Sequence, residues 1–534
     1  MQIEGIIMEK AKIEYYAWPD KVAGLLEKRG KKHVLHGMWT PSGYFHIGNA
    51  RSELLTQALV KKALEDRGLK AVQNFFFDDF DDFDKIPDGI DVDKAEFLQY
   101  LGKPLREVPS PVLGFSSWAE YFEDDVKSVL DTFGLKVNLI SSYDAYKSGK
   151  YDEAIKIVLD NSRKIRDLWV KITGGSKPEG WIPVMPVCEK CGRASTTIAT
   201  EWDGTKLKYE CSNDRDYCKS CGHKGELKPG KGNVKLPWRV HWTAGWYIFG
   251  TTFEPAGKDH FTKGGSVDTS QAILREVFKK EPPLQTPGEF IQLGGKKISG
   301  SRGNVITMKD WIEFADPELL HFLVVSYQQN TTIEFDLQSN KLFLLYDRYD
   351  KAEQAFFNEK DDKTSQQMKR EYELSQIKKP KKGFSLDYST AAMISQTCPS
   401  NKMDEILDLL KAMGLLEKAD KNDKEKISKR LKLAKNWVDK YAPEEMKIKL
   451  NEELPEIELN ENEKKAISSL VNDIDKKDLQ TIIYETAKKN DIQPKRFFQI
   501  LYKILINRES GPRLGPFIIA IGRDNVKKLL QEIK

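Results

Sequence analysis

A short apolar segment, His33-Val34-Leu35-His36-Gly37-Met38, is followed by the run Thr40-Pro41-Ser42-Gly43-Tyr44-Phe45-His46-Ile47-Gly48-Asn49. Apolar residues then recur at helical spacing, at Leu54, Leu55, Ala58, Leu59 and Leu64. A buried strand and then a helix through residue 66 place the run on a strand-to-helix corner. At such a corner the first amides of the helix lack carbonyl partners, and they and the helix dipole favour a phosphate oxygen. Gly43 and Gly48 let backbone come close to a ligand, while His46 and Asn49 face one side of the helix start. The corner fits an α/β nucleotide-binding domain; on spacing alone, a capped helix bearing a surface histidine fits as well.

A second segment far along the chain, Gly294-Gly295-Lys296-Lys297-Ile298-Ser299-Gly300-Ser301-Arg302-Gly303-Asn304, is glycine-rich and basic. Its flanking glycines predict a hinged, flexible loop. Lys296, Lys297 and Arg302 supply charge for a polyphosphate, and Ser299 and Ser301 supply hydroxyls. Read alone, the segment also fits a solvated basic turn. Between the two runs, residues 70–77 read as a strand ending in Asp78-Asp79, at the edge where doubly wound sheets bind ligands. The acids that follow, Asp81, Asp82 and Asp84, read mostly as solvated loop residues. Apolar residues at 137–140 and helical patterns over 151–170 suit the same α/β class.

Five of the six cysteines lie between positions 188 and 221, as Cys188-x2-Cys191, Cys211 and Cys218-x2-Cys221. Cys-x-x-Cys-Gly turns let two thiolates grip one metal, so the spacing predicts a structural zinc knuckle, with a disulfide cluster as the alternative. Two paired turns would use Cys188, Cys191, Cys218 and Cys221.

A net charge of +4 over 534 residues is too small to announce nucleic acid, so charge has to be read locally. The length implies roughly two to four domains. No apolar stretch of signal-peptide length opens the chain, and the apolar run at 319–325 is too short for a bilayer, which predicts a soluble cytoplasmic protein without membrane contact. The charged segment 358–382 is the expected mobile connector. Beyond it the pattern is helical. Ile427, Leu431, Ala434, Val438 and Tyr441 mark one face of a helix ended by Pro443, and Lys424, Lys426, Lys429, Arg430, Lys432 and Lys435 populate much of the rest. That basic face reads as solvated, or as a track for RNA phosphate. Lys495, Arg496, Phe497 and Phe498, in the stretch 488–502, are candidates for stacking unpaired bases.

Together the two glycine-bearing runs resemble the two signatures of class I aminoacyl-tRNA synthetases, His46-Ile47-Gly48-Asn49 matching the first and Lys297-Ile298-Ser299-Gly300-Ser301 the second. The stretches Leu236-Pro237-Trp238-Arg239-Val240-His241-Trp242, Phe253-Glu254-Pro255-Ala256-Gly257-Lys258-Asp259-His260 and Gly264-Gly265-Ser266-Val267-Asp268-Thr269 look like the active-site region of the archaeal-type class I lysyl-tRNA synthetases. The tail Gly511-Pro512-Arg513-Leu514-Gly515-Pro516-Phe517 is similar to the C-terminal end of that family.

The resemblance implies a Rossmann-like catalytic domain over 1–315, with an insert at 85–180 and a zinc-binding insert at 183–236. A stem-contact-like connection at 316–370 and an α-helical anticodon-binding domain at 371–534 would follow. It implies ATP, magnesium and zinc as cofactors or substrate, and L-lysine and tRNA(Lys) as partners. His46, Asn49, Lys297, Ser299 and Ser301 would be catalytic, and Thr40, Pro41, Gly43, Gly48 and Asp259 would bind ATP. Trp242, Trp246 and His260 would form the amino-acid pocket. The family pattern pairs Cys188 and Cys191 with Cys211 and Cys221, leaving Cys211 or Cys218 as the fourth ligand. Two departures stand out. Gly300 occupies a place that is lysine in many class I enzymes, which shifts the burden to Lys297 and Arg302. His241 stands where lysyl relatives have an acid, which keeps open a glutamyl-type class I synthetase, beside a noncatalytic tRNA-binding paralogue.

Overall fold

The computed structural model describes residues 16–298, 305–358, 362–398 and 402–533, without the side chains of Lys296 and Lys297. The chain divides into two compact units. One comprises Met1–Trp311, Leu320–Phe335 and Lys360–Lys378, the other Ile312–Leu319, Asp336–Glu359 and Lys379–Lys534. Among the described residues no helix is long and apolar enough to cross a membrane.

The first unit is built on five parallel strands: β1 (Lys32–Trp39), β2 (Lys70–Phe77), β3 (Asn138–Ser141), β4 (Phe253–Gly257) and β5 (Leu284–Gly288). Their spatial order is β5-β4-β1-β2-β3. The last five residues of β1 and of β2 are all buried, as expected of strands covered by helices on both faces. The order reverses between β1 and β4, so the crevice beyond their carboxyl ends is the topological switch point where such sheets take ligands. Thr40, Asp78 and Lys258 follow directly on β1, β2 and β4. Between the helix Trp238–Phe249 and β4 no strand runs across 249–253. The helix ends at Gly250 in a left-handed cap (φ 64°), and β4 begins only at Phe253.

The helix after the corner is not uniform. Its first turn, Ile47–Asn49, passes through a π-helical stretch, Ala50–Leu55, into Thr56–Asp66. Side chains take up the carbonyls that the wide turn leaves over. Thr56 Oγ1 donates to Arg51 O at 2.6 Å, and Gln57 Nε2 donates to Ser52 O and to His36 O, both at 3.1 Å. The bulge presses on β1: a Cβ at Gly37 would sit 1.9 Å from Glu53 O.

Two sequence expectations change here. The 358–382 segment contains a helix, Lys363–Ser375, anchored where Arg370 grips Asp20 at 2.8 Å and Asp66 at 2.9 Å. Enough charge pairs with the first unit to order a polar stretch. Gly294 and Gly295, both left-handed (φ 54° and 75°), form the tight turn between the short strands Ile291–Leu293 and Lys296–Lys297 instead of hinges.

The regular elements of the second unit, among its described residues, are all helices. In its longest helix, Lys421–Lys440, the buried face is Ile427, Arg430, Leu433, Ala434, Trp437 and Val438. Arg430, expected on the solvated basic face, is buried against Asp350 at 3.0 Å and lies over the Tyr346 ring at 4.2 Å. Lys426 pairs with Glu353 and Lys429 with Asp316. Lys424 reaches Asp404 at 4.0 Å and Lys435 pairs with Asp439 one turn along, so five of the six cations on this face are met by acids of the same unit. Phe497 is wholly buried and takes no part in base stacking.

Gly37→Ala is expected to destabilise the first unit by about 2 kcal/mol or more, since the backbone carbonyl in its way cannot rotate aside. Urea unfolding checks this, and an unchanged midpoint would refute the close packing of β1 on the bulge.

Candidate active site

At the corner, His46 is the N-cap of the helix rather than a member of its first turn. Its Nδ1 accepts from the Asn49 amide at 3.2 Å, and Asn49 Oδ1 accepts from the His46 amide at 3.4 Å, a reciprocal capping box. A ring nitrogen that accepts carries no proton, so the neutral tautomer carries its proton on Nε2. The Ile47 amide donates to Ile306 O at 2.9 Å, and His46 bridges to Thr307. Fewer amides thus remain for an anion than the bare corner suggests. Gly48 serves mainly the cap: a Cβ there would lie 3.0 Å from the His46 ring and 3.9 Å from the Ile298 side chain. Pro41 and Gly43 are buried, and Thr40 Oγ1 donates to Asp81 Oδ2 at 3.3 Å.

These contacts bring the two glycine-bearing runs together. Ile298 is buried beside Gly48, and the chain leaving the second run, at Ile306 and Thr307, closes on the start of the helix. Arg51 fixes the approach. Its buried guanidinium donates to the carbonyls of Phe290, Gln328, Gln329 and Thr331 at 2.9–3.4 Å. The Lys297 side chain and all of Ser299 and Ser301 lie outside the described residues.

Beyond β2 the acids are not a solvated loop. Asp79 is fully engaged, by Arg106 at 2.5 Å, Ser141 at 2.6 Å and the Tyr143 amide at 2.8 Å. Asp81 pairs with buried Lys235 at 2.5 Å, and Asp82 accepts from Tyr217 at 3.0 Å; of the three acids after Phe80, only Asp84 is fully exposed. Burial alone would lower the Lys235 ammonium, yet the charges of Asp81, Asp78 and Asp82 carry it above the usual lysine range. Asp78 is different. It is buried, and its Oδ1 has no hydrogen-bond partner among the described residues. Burial, reinforced by the charge of Asp81, pushes its carboxyl well up. The sequence put Asp78 at the right edge, but only packing separates it from its occupied neighbour Asp79.

His241 faces this carboxylate with Nε2 at 3.8 Å, while its Nδ1 meets the Tyr146 hydroxyl at 2.9 Å. Stacked near Tyr146 and Tyr151, it is pushed down to about 3 by burial and stays neutral. It is an internal residue behind Asp78, which explains how a histidine is tolerated there.

The Trp238–Phe249 helix carries an aromatic ladder. Trp242 and Trp246 are buried one turn apart, and both indoles donate to Glu254 on β4, Trp242 to Oε1 at 2.9 Å and Trp246 to Oε2. Trp238, 40% exposed, stacks on Trp242 at 5.3 Å. His260 lies in the turn after β4, its ring 5.5 Å from Trp242 and 6.1 Å from Trp238. Asp259 beside it is exposed. The surface end of the ladder is therefore Trp238, which period and composition did not single out.

The cysteine cluster resolves to Cys188, Cys191, Cys211 and Cys221, whose sulfurs all lie within 4.8 Å of one another. Cys188 and Cys221 are 3.6 Å apart, Cys191 and Cys211 3.8 Å. Sulfurs about 3.8 Å apart are what tetrahedral zinc–thiolate bonds of about 2.3 Å require, whereas a disulfide needs about 2.05 Å. Cys211 leaves the middle strand, Leu207–Glu210, of a three-stranded antiparallel sheet. Cys218 packs elsewhere, beside Gly102, where a Cβ would come within 2.6 Å of its sulfur. A pair of like turns was the wrong guide, because the hairpin brings Cys211 back to the first turn.

Residues 16–378 match the family described as tRNA synthetases class I (K). The chain is 35% identical to lysine–tRNA ligase of Pyrococcus horikoshii over 532 residues, covering 96% of this chain and 99% of the relative. It is 36% identical to that of Methanocaldococcus jannaschii (95% and 98% covered) and 33% identical to that of Borreliella burgdorferi (96% and 98%). A glutamate tRNA ligase of Elizabethkingia meningosepticum, solved with its amino acid, is 13% identical over 94% of this chain and 100% of that chain; its TM-score of 0.39 is too low to argue from.

Glu254→Gln replaces one of two acceptors with a donor that faces an indole N–H. It is expected to cost about 1–3 kcal/mol. Burial pushes the wild-type carboxyl from 4.5 up to about 8, so the folded chain keeps a proton that the unfolded chain releases. Its stabilising share is full below about pH 4.5 and lost as pH rises through 8. Denaturation midpoints of wild type and variant should therefore converge across that window; a constant gap would overturn the assignment.

Proposed function

Because this chain belongs to the class I (K) tRNA synthetases, we infer that it is a lysine–tRNA ligase, joining lysine to the 3′ end of tRNA(Lys) with cleavage of ATP to AMP and pyrophosphate. The observation that carries this reading is the closure of the segment at Ile306 and Thr307 on the His46 helix start, with Ile298 of the second run beside Gly48 of the first. Neither a glutamyl specificity nor a noncatalytic role has comparable support.

In the first step an oxygen of the lysine carboxylate attacks the α-phosphorus of ATP, and the bond to pyrophosphate breaks. In the second a terminal ribose hydroxyl of tRNA, initially the 2′, attacks the carbonyl carbon and AMP leaves. The nucleophiles belong to the substrates, so the protein's contribution is positioning and donors aimed at phosphate charge. His46 Nε2–H and the Asn49 side chain serve the phosphates from one side; Lys297, Ser299 and Ser301 close from the other. Magnesium accompanies the nucleotide as its counter-ion. Thr40, Pro41, Gly43 and Gly48 shape the floor, and Asp259 reaches the ribose. The Trp238–Trp242–Trp246 ladder with His260 walls the amino-acid pocket. Asp78, buried with a free acceptor oxygen, is the counter-ion for an ammonium of lysine. It sheds its proton when that cation arrives, since an opposite charge at close range outweighs desolvation.

The four gathered thiols hold a structural zinc with no open coordination position, which ties the hairpin to the first Cys-x-x-Cys turn. Residues 371–534 read the anticodon and 316–370 the inner stem, with the catalytic domain over 1–315. The enzyme works in the cytoplasm.

Total tRNA offered each labelled amino acid should be charged with lysine alone; charging with another amino acid, or with none, defeats the reading. His46→Ala should lower adenylate formation about a hundredfold. Asp78→Asn should raise KM for lysine about tenfold or more while KM for ATP holds, the scale of losing one buried charged partner.

Zinc content supplies a separate check. Cys211→Ser should lose the metal or bind it weakly, whereas Cys218→Ser should retain one equivalent; the reverse pattern would restore the paired-turn ligand set.

A further inference from the structure

The helix Ser162–Thr173 has Ile165 as its only fully buried residue, although Leu168, Trp169, Val170 and Ile172 also lie on it. From Ser162 to Lys177 the chain bears five cations (Arg163, Lys164, Arg166, Lys171 and Lys177) against one anion, Asp167. This short stretch thus matches the net charge of the entire protein, +4. Lys164 pairs with Glu276 and Arg166 with Asp167, so part of the excess is absorbed locally.

Of two half-buried indoles, Trp169 sits within that stretch and Trp181 just beyond it, past Glu179. Trp169 and Trp181 meet edge to face at 5.5 Å, and the Lys177 ammonium lies over both rings, at 5.1 and 4.8 Å. Arg239 covers Trp169 from the neighbouring helix at 4.9 Å. Arg239 directly follows Trp238, the exposed end of the ladder that leads to Trp242 and His260. An aromatic and cationic path therefore runs from a basic surface to the wall of the amino-acid pocket, all within the first unit.

We propose that Trp169, Trp181 and Lys177 form a stacking platform for the unpaired 3′ end of the RNA substrate; this rests on the lysine–tRNA ligase reading. Indole faces beside cations suit single-stranded nucleic acid, whose bases are free to stack, and not duplex, whose bases already stack on one another. A base arriving on Trp181 displaces the Lys177 ammonium from the ring, and the freed cation meets the adjoining phosphate. Arg239 holds the far ring in place. The end of the strand then points along Trp238 toward the site where its ribose must be acylated.

The test uses the full-length protein and two RNA hairpins with one stem, one blunt and one with a four-nucleotide unpaired 3′ tail, compared by fluorescence anisotropy. The wild type should bind the tailed hairpin about tenfold more tightly, the scale of one stacked base. Trp181→Ala should erase most of that preference and Trp181→Phe restore it. Lys177→Ala, a surface change that spares the fold, should reduce the preference and flatten the salt dependence by about one phosphate contact. Calorimetric binding of lysine and of ATP should be unchanged in all three variants. A wild type indifferent to the tail, or variants that keep the full preference, would overturn the platform. If the wild type prefers the tail yet charges no lysine, the ligase reading fails and the platform stands. If it charges lysine and Trp181→Ala keeps its preference, the platform alone fails.

Discussion

The seam between the start of the His46 helix and the segment at Ile306 and Thr307 is the contact on which the rest of the site depends. One amide–carbonyl bond from Ile47 to Ile306 joins parts of the chain that are remote in sequence, and the capping box beside it sets the His46 tautomer. Such a seam needs a fixed partner, and Arg51 provides it by binding four carbonyls of the strand and loop that flank the second signature. A buried guanidinium is costly unless its donors are filled. Here carbonyl oxygens fill them, so the charge orders the segments at Phe290 and at 328–331.

The electrostatics behind the pocket follow one logic. Five acids follow β2; Asp84 is exposed, and three of the others are occupied: Asp79 by Arg106, Asp81 by Lys235 and Asp82 by Tyr217. Asp78 keeps a buried oxygen, Oδ1, without a hydrogen-bond partner among the described residues, facing at 3.8 Å a histidine that burial keeps neutral. Glu254 plays a complementary part by fastening two indoles from below, so that the aromatic wall is rigid before any ligand arrives.

Much of the fold was legible because periodicity reports local structure. The β1 strand, the corner, the strand at 70–77 and the helical C-terminal region all follow from patterns of two and of about three and a half residues. The Cys-x-x-Cys turns pointed to the thiol cluster for the same reason. What escaped depended on partners distant in sequence. Arg430 looks solvated until Asp350 and Tyr346 meet it, and the 358–382 segment looks loose until Arg370 finds Asp20 and Asp66. Gly48 was read as an approach for ligand, and only packing shows that a Cβ there would also crowd the His46 ring.

By itself, the sequence determined the class of fold, the two signature runs, the metal-binding residue type and the family, since each is written in short spacings that local backbone geometry imposes. Tertiary structure alone decided which groups are free to act. It chose Cys211 over Cys218 by returning a hairpin to the first turn, left Asp78 open while filling Asp79, and turned His241 inward between tyrosines. The reason is physical: whether a polar group is available depends on which other groups satisfy it, and those partners are brought together only when the chain closes.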